Sequence, residues 1–261
     1  MQLPDTYRKN LRFKIQLAGE NIEIECHNRN ILKQCRPYLI DSGSISTYIS
    51  VNYEDVLGEG LYKNVNNIEF EYPNVAVTSN IAELESLAIC RKLVEHLIYK
   101  DTLLMHGAVV AKDGFSYMFT APSGVGKTTR AKLWLHEFPD SIVVNGDKPL
   151  IKITENSVLA CGSPWCGKEG FNTNTMIPLR AIFLLERVRD GEECSVEKIS
   201  FGDAFPTLLQ QTYHFKNPVK LKKSLLLLKE LSNKIHFYRF KSTPTIDAIR
   251  LAFNTAKPEN C

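Results

Sequence analysis

Long apolar runs are missing from this chain: 44% of its 261 residues are hydrophobic, yet no stretch has the length needed to span a bilayer. The first residues, Met1-Gln2-Leu3-Pro4-Asp5-Thr6-Tyr7-Arg8-Lys9, lack the apolar core of a signal peptide, so the expected location is the cytoplasm. A strong charge of one sign is missing too. The formal net charge is +3, too mild to indicate nucleic acid or an anionic membrane as a partner. The seven cysteines, Cys26, Cys35, Cys90, Cys161, Cys166, Cys194 and Cys261, are odd in number and scattered, which speaks against a disulfide framework and for reduced thiols. Cys161 and Cys166 are the closest pair, but C-x₄-C without a second pair or nearby histidines makes no zinc cage. Repeats, low-complexity tracts and long linkers are absent as well. What remains is the composition of an ordinary globular protein, long enough to bury a full core.

The periodicities place elements along that core. Phe13, Ile15 and Leu17, then Ile22, Ile24 and Cys26, alternate as in a β-hairpin turning near Ala18-Gly19-Glu20-Asn21. A short helix is expected over Asn30 to Tyr38, with strands at Ile45 to Asn52 and Ile68 to Tyr72. Asn80 followed three residues later by Glu83 reads as the start of a helix from Ile81 to about Lys100, its apolar side carrying Leu84, Leu87, Ala88, Cys90, Leu93, Val94 and Leu97 and its charged side solvated. Strands at Leu103 to Val110 and Ser116 to Thr120 flank a turn at Lys112-Asp113-Gly114. A helix over Thr129 to Phe138, a buried strand at Ser141 to Val144 and a strand at Ala181 to Glu186 follow. The remainder reads as helical, over Phe205 to Tyr213, Pro218 to Leu231 and Pro244 to Ala256.

Between the second strand of that hairpin and the helix after it lies Thr120-Ala121-Pro122-Ser123-Gly124-Val125-Gly126-Lys127-Thr128-Thr129. A strand-to-helix turn of this make cradles phosphates: Gly124 and Gly126 admit backbone conformations closed to residues with a Cβ and let an anion approach the main chain. Lys127 is placed to reach the β- and γ-phosphates, the Thr128 hydroxyl suits Mg²⁺, and the helix N-terminus adds partial positive charge. The candidate nucleotide-binding residues are therefore Ser123, Gly124, Val125, Gly126, Lys127, Thr128 and Thr129. One position departs from the G-x-x-x-x-G-K-[ST] pattern, with Ala121 in place of the first glycine.

Phosphoryl transfer needs more than a cradle. Asp147, at the end of the strand after the loop helix, is a candidate either for holding Mg²⁺ with Thr128 or for accepting the proton of an attacking hydroxyl. His106 precedes the loop and is a candidate hydrogen-bond donor, metal neighbour or proton acceptor. The run Gly162 to Asn174 is dense in glycine and polar groups, as binding loops are; Lys168 in it could neutralise transferred phosphate, and Asn172 could donate hydrogen bonds, while a turn covering Trp165 is the structural alternative. Arg187, just past a strand, is either a charge at the transition state or a solvated side chain.

In this order, Met105-His106-Gly107-Ala108, Ala121 to Thr129, Asn145-Gly146-Asp147-Lys148-Pro149-Leu150, Ser163-Pro164-Trp165-Cys166-Gly167-Lys168 and Leu184-Leu185-Glu186-Arg187 resemble the HPr serine kinase-like branch of the phosphoenolpyruvate carboxykinase superfamily. The match is close over Leu103 to Arg187 and loose elsewhere. The resemblance implies an α/β P-loop nucleotide-binding fold: a mixed β-sheet with flanking helices, and a β-rich N-terminal elaboration. It implies ATP on Lys127 and Thr128, Mg²⁺ near Thr128 and Asp147, and a histidine beside them matching His106. Its S-G-x-G-K-[ST] loop fits Ser123 to Thr128 and tolerates Ala121. Its paired acidic motif is matched only by Asp147, because Gly146 stands where the first aspartate is common. The C-terminal signature of reversible phosphorolysis is not found, which disfavours kinase and phosphorylase bifunctionality. The expected organisation is a β-rich subdomain over 1–80 and a P-loop kinase domain over 81–261.

The function expected first is an ATP-dependent kinase acting on a hydroxyl, a serine of a peptide or protein or a small hydroxylated metabolite, with Asp147, His106, Lys168 and Arg187 as catalytic candidates. No nucleic-acid or membrane partner is expected, and a homo-oligomer is left open. A carboxykinase-type lyase and a nucleotide-dependent binding module without phosphotransfer are the alternatives. The lyases of this superfamily are much longer and need an arginine-rich pocket that the N-terminal segment does not supply.

Overall fold

The computed structural model describes residues 10–52, 54–59, 81–188 and 193–258. The chain divides into two compact units, Met1–His96 and Leu97–Cys261. No helix among the described residues is long and apolar enough to cross a membrane.

The first unit is built on a three-stranded sheet of β1 (Leu11–Leu17), β2 (Glu20–Cys26) and β3 (Thr47–Ser50). β1 and β2 pair antiparallel through a two-residue turn in which Ala18 and Gly19 have φ of 48° and 80°, the twist that suits a tight hairpin. β3 adds parallel to β2. The helix Arg29–Cys35, capped by the Asn28 side chain, tightens into a 3₁₀ turn over Arg36–Tyr38, where Pro37 removes a helical donor. The helix Ile81–Leu97 ends in a 3₁₀ turn, Ile98–Lys100, stopped by Asp101 at φ 54°. Its polar side is not simply solvated: Glu85 is buried and accepts from the His27 backbone N–H at 2.6 Å, and Lys92 pairs with Asp55 at 2.6 Å. The strand expected at Ile68 to Tyr72 and the cap at Asn80 lie outside the described residues.

The second unit is mixed α/β, a curled nine-stranded sheet with helices against it. Its strands are β4 (Thr102–Leu104), β5 (Ala108–Lys112), β6 (Phe115–Thr120), β7 (Ile142–Asn145), β8 (Leu150–Ile153), β9 (Val158–Cys161), β10 (Met176–Glu186), β11 (Ser195–Ile199) and β12 (His236–Lys241). The main path runs β4-β8-β9-β10-β6-β5-β7, and β12 lies between β10 and β11. β10 serves three ladders: Met176–Pro178 pairs antiparallel with β9, while the later residues lie parallel to both β6 and β12. β5 is antiparallel to β6 and to β7. The C-terminal ends of β6, β7, β10 and β12 therefore open on the same edge.

The strand expected over Leu103 to Val110 is two strands with different partners, β4 against β8 and β5 against β6 and β7. The break falls at Met105 to Gly107, where Met105 bridges to Thr212 and the Gly107 N–H turns to the Asp147 carbonyl at 2.9 Å. A Cβ on Gly107 would lie 2.9 Å from the Phe119 carbonyl oxygen, so only glycine lets the two chains pass this closely. β12 lies in the segment expected to be helical, between the helices Pro218–Ser232 and Ile246–Ala256.

The helices Lys127–Glu137 and Ile246–Ala256 cover one face of β5, β6, β10 and β12. Between them is a core of Tyr117, Phe119, Trp134, Phe183, Phe240 and Phe253 with smaller apolar residues. Burial of that many large rings is the main attractive term in this unit.

Candidate functional site

β6 runs apolar and buried to Thr120, and the chain then turns through 121–126 into the helix Lys127–Glu137. Gly124 and Gly126 take φ of 75° and 101°. Ala121 is buried and is not among the residues with positive φ, so its backbone does not call for the glycine that stands there in the general pattern. The helix has no side-chain N-cap, leaving its first N–H groups to an anion or solvent. Lys127 is buried, its ammonium donating to the carbonyls of Ala121 at 2.8 Å and Pro122 at 3.3 Å. Ser123, Val125 and Thr128 are half-buried on the loop and first turn, and Thr129 is exposed. Arg187, immediately after β10, donates to the Gly124 carbonyl at 2.7 Å.

The turn after β7 is shaped by Asn145. Its buried side chain accepts from the N–H groups of Asp147 at 2.9 Å and Lys148 at 2.7 Å, and donates to Ser163 Oγ at 3.1 Å and O at 3.0 Å. This asparagine turn projects Asp147 from the strand end. One Asp147 oxygen lies 3.2 Å from His106 Nε2 and the other 2.7 Å from the Lys148 ammonium. Burial pushes the Asp147 carboxyl up, but the hydrogen bond from His106 and the charge and hydrogen bond of Lys148 outweigh it, and the net shift is well below the ordinary range. His106 Nδ1 is 2.9 Å from Oε1 of Gln211, which is 3% exposed. With Oε1 facing Nδ1, both ring nitrogens face acceptors and only a doubly protonated ring donates to both; with the amide turned round, its NH₂ donates to Nδ1 and the single proton of a neutral ring sits on Nε2, toward Asp147. The His106 carbonyl also accepts from Thr120 Oγ1 at 2.8 Å, tying this histidine to the strand that feeds the loop.

The run Gly162 to Asn174 lies along β7 and over the Asp147 turn. Asn172 bridges to Asn145, the Thr173 N–H donates to the Val144 carbonyl, and the Gly146 N–H to that of Phe171. A Cβ on Gly146 would sit 3.1 Å from the Cys166 oxygen and 3.2 Å from Phe171 Cβ, and one on Gly167, at φ 78°, 3.1 Å from Asp147 Cβ. A side chain at Gly146 would therefore be tight against this loop, which would have to give by a few tenths of an ångström. Lys168 is exposed on it, one residue past Gly167, and Glu169 pairs with Lys132 of the loop helix at 3.0 Å. The Asn172 amide donates to Cys166 Sγ at 2.9 Å rather than outward.

The structure therefore brings together the 121–126 turn with Arg187, and separately His106 with Asp147, on neighbouring strand ends of one sheet edge. It leaves Lys168 exposed, without a contact to either group. Lys148 and Ser163 take part in the Asp147 turn and Gln211 holds His106, and none of the three was given a site role from sequence; Lys148 and Ser163 stood within the motif segments, Gln211 outside them.

Among the described residues no group of three or more His, Cys, Asp or Glu could hold a metal alone. Burial pushes the Cys161 thiol up to about 12, which suits an inert core cysteine. Magnesium that arrives with a nucleotide needs only one or two protein oxygens, its other positions being water and phosphate. Thr128 and Asp147 carry oxygens of that kind, and the uncapped helix start with Gly124 and Gly126 offers N–H groups to an anion.

No family model matches the chain, and no curated protein matches it. Among solved structures the chain is similar to the HPr(Ser) kinase/phosphatase from Coxiella burnetii, at 12% identity over 49% of this chain and 96% of that one, with a TM-score of 0.29.

Proposed function

We propose that the protein is an ATP-dependent phosphotransferase that moves the γ-phosphoryl group to a hydroxyl, on a peptide or protein serine or a small metabolite. The observation that supports this most is the shared sheet edge: a glycine turn with an uncapped helix start at the end of β6, and a hydrogen-bonded carboxylate at the end of β7. The acceptor hydroxyl oxygen forms a bond to the γ-phosphorus as the bond to the departing ADP oxygen breaks, and the hydroxyl proton passes to Asp147. Because that carboxyl is held well below its usual range, its main task is to orient the hydroxyl, with proton uptake late in the transfer. His106 and Gln211 fix the carboxylate's direction. Lys127, released from the loop carbonyls, and Arg187 face the phosphate charge. Magnesium, held by Thr128 and Asp147, would neutralise phosphate oxygens.

Labelled ATP with a panel of peptides and hydroxylated metabolites tests the reading. Transfer to an acceptor supports it; ATP turnover that never labels an acceptor, or no ATP binding, overturns it. The ion pair of Asp147 with Lys148 favours a second reading, a nucleotide-dependent binding module in which that carboxylate is structural. In that case Asp147→Asn would leave function intact.

A further inference from the structure

Arg130, on the first turns of the loop helix, is 2% exposed. Its guanidinium makes five hydrogen bonds to four acceptors. Nη1 donates to the Val125 carbonyl at 3.0 Å and the Gly126 carbonyl at 3.3 Å; Nη2 donates to Ser242 O at 2.7 Å and Oγ at 2.9 Å; Nε donates to the same Oγ at 3.3 Å. The guanidinium lies 5.6 Å over the Phe240 ring. Every acceptor is neutral, and among the described residues no carboxylate pairs with this charge.

Such an arrangement is costly by itself. Burial disfavours the guanidinium charge, and among the described residues only Cys194 opposes this. Arginine nevertheless stays protonated. The benefit is at the phosphate loop. The Gly126 carbonyl already accepts from the Arg130 backbone N–H at 3.1 Å, and the guanidinium adds a second donor there and holds the Val125 carbonyl; in a trans peptide the N–H lies on the side opposite the carbonyl, so both N–H groups are left free to face away from Arg130. Glycine at 126 serves this approach as well as its φ of 101°, because a Cβ there would lie 2.8 Å from Arg130 Nη1.

We propose that Arg130 is a positioning residue of the phosphate loop, bracing it against Ser242 after β12 and supplying a buried positive charge whose counter-ion is the bound polyphosphate. This rests on the nucleotide reading above. The probes are ATP and inorganic tripolyphosphate, titrated calorimetrically into the full chain and into Arg130→Met, Arg130→Lys and Ser242→Ala. Arg130→Met is expected to weaken both probes roughly tenfold or more, the scale of one charge-assisted contact, with the other two in between. The KM for ATP should follow the same order, with kcat changing less. An arginine needed only for folding would lower the melting temperature and leave the folded protein's affinity unchanged. Affinity within about twofold of the unchanged protein in folded Arg130→Met overturns the inference; if that variant does not fold, the same result in both Arg130→Lys and Ser242→Ala overturns it. If the unchanged protein binds neither probe, the nucleotide reading fails and this inference with it.

Discussion

Asp147 is held at both carboxylate oxygens, by His106 and by Lys148, against a burial cost that alone would raise its pKa. Its folded pKa lies below the unfolded value of roughly 3.9, so the stabilisation is complete above that value and is lost as the pH falls toward the folded one. Removing the ammonium with Lys148→Met leaves burial less opposed. Acid unfolding, followed by circular dichroism from about pH 6 down to about pH 2, should then begin at a higher pH than in the unchanged protein. Asp147→Asn keeps the shape of the turn and removes the charge. Acceptor labelling is expected to fall by about 10² to 10⁴, the range for a positioned acid–base group, while ATP affinity measured by titration changes little. His106 and Asp147 could both be picked out from residue type and order. Gln211, 105 residues from His106, and Ser242, 112 from Arg130, could not, because those meetings depend on which distant segments the sheet brings together.

The turns and strand ends show what local pattern reveals and what it hides. The 18–19 and 113–114 hairpins were legible because a two-residue turn with positive φ has its own chemistry, and the 121–126 turn because of its glycines. The split between β4 and β5 was not, since only His106-Gly107 interrupts the apolar run of Leu103 to Val110 and a change of partner leaves no periodic mark. β12 was hidden because its buried residues, Phe237, Tyr238 and Phe240, do not alternate cleanly and it lies between two helical segments. Gly146 is the position where resemblance alone misleads. Restoring the acid with Gly146→Asp would push a side chain into the Cys166 carbonyl and Phe171, and is expected to cost about 1–3 kcal/mol in urea unfolding without raising transfer. Gly107→Ala meets the Phe119 carbonyl and the movable end of Met118, and should destabilise by a similar order, about 1–3 kcal/mol by the same measurement.

Across the larger unit, Trp134 joins the loop helix to the rest of the core, with Tyr117, Phe119, Phe138 and Phe253 rings 5.1 to 5.9 Å away. Its indole N–H has no hydrogen-bond partner among the described residues. Trp134→Ala should cost about 3–5 kcal/mol, and Trp134→Phe much less because it removes the unpaired donor with only part of the volume. Ligand linkage gives a check on the whole molecule: ATP with magnesium at about 100 times its Kd should add about 2.7 kcal/mol to unfolding stability, a gain Lys127→Ala should abolish. The brace between Arg130 and Ser242 also orders events in time. On the ribosome, the 121–126 turn emerges long before β12 and the last helix exist, so the nascent chain displays a glycine turn with nothing behind it. Chains stalled before His236 are expected to pass through synthesis unable to retain ATP, gaining that ability only once the C-terminal segment is released and docks.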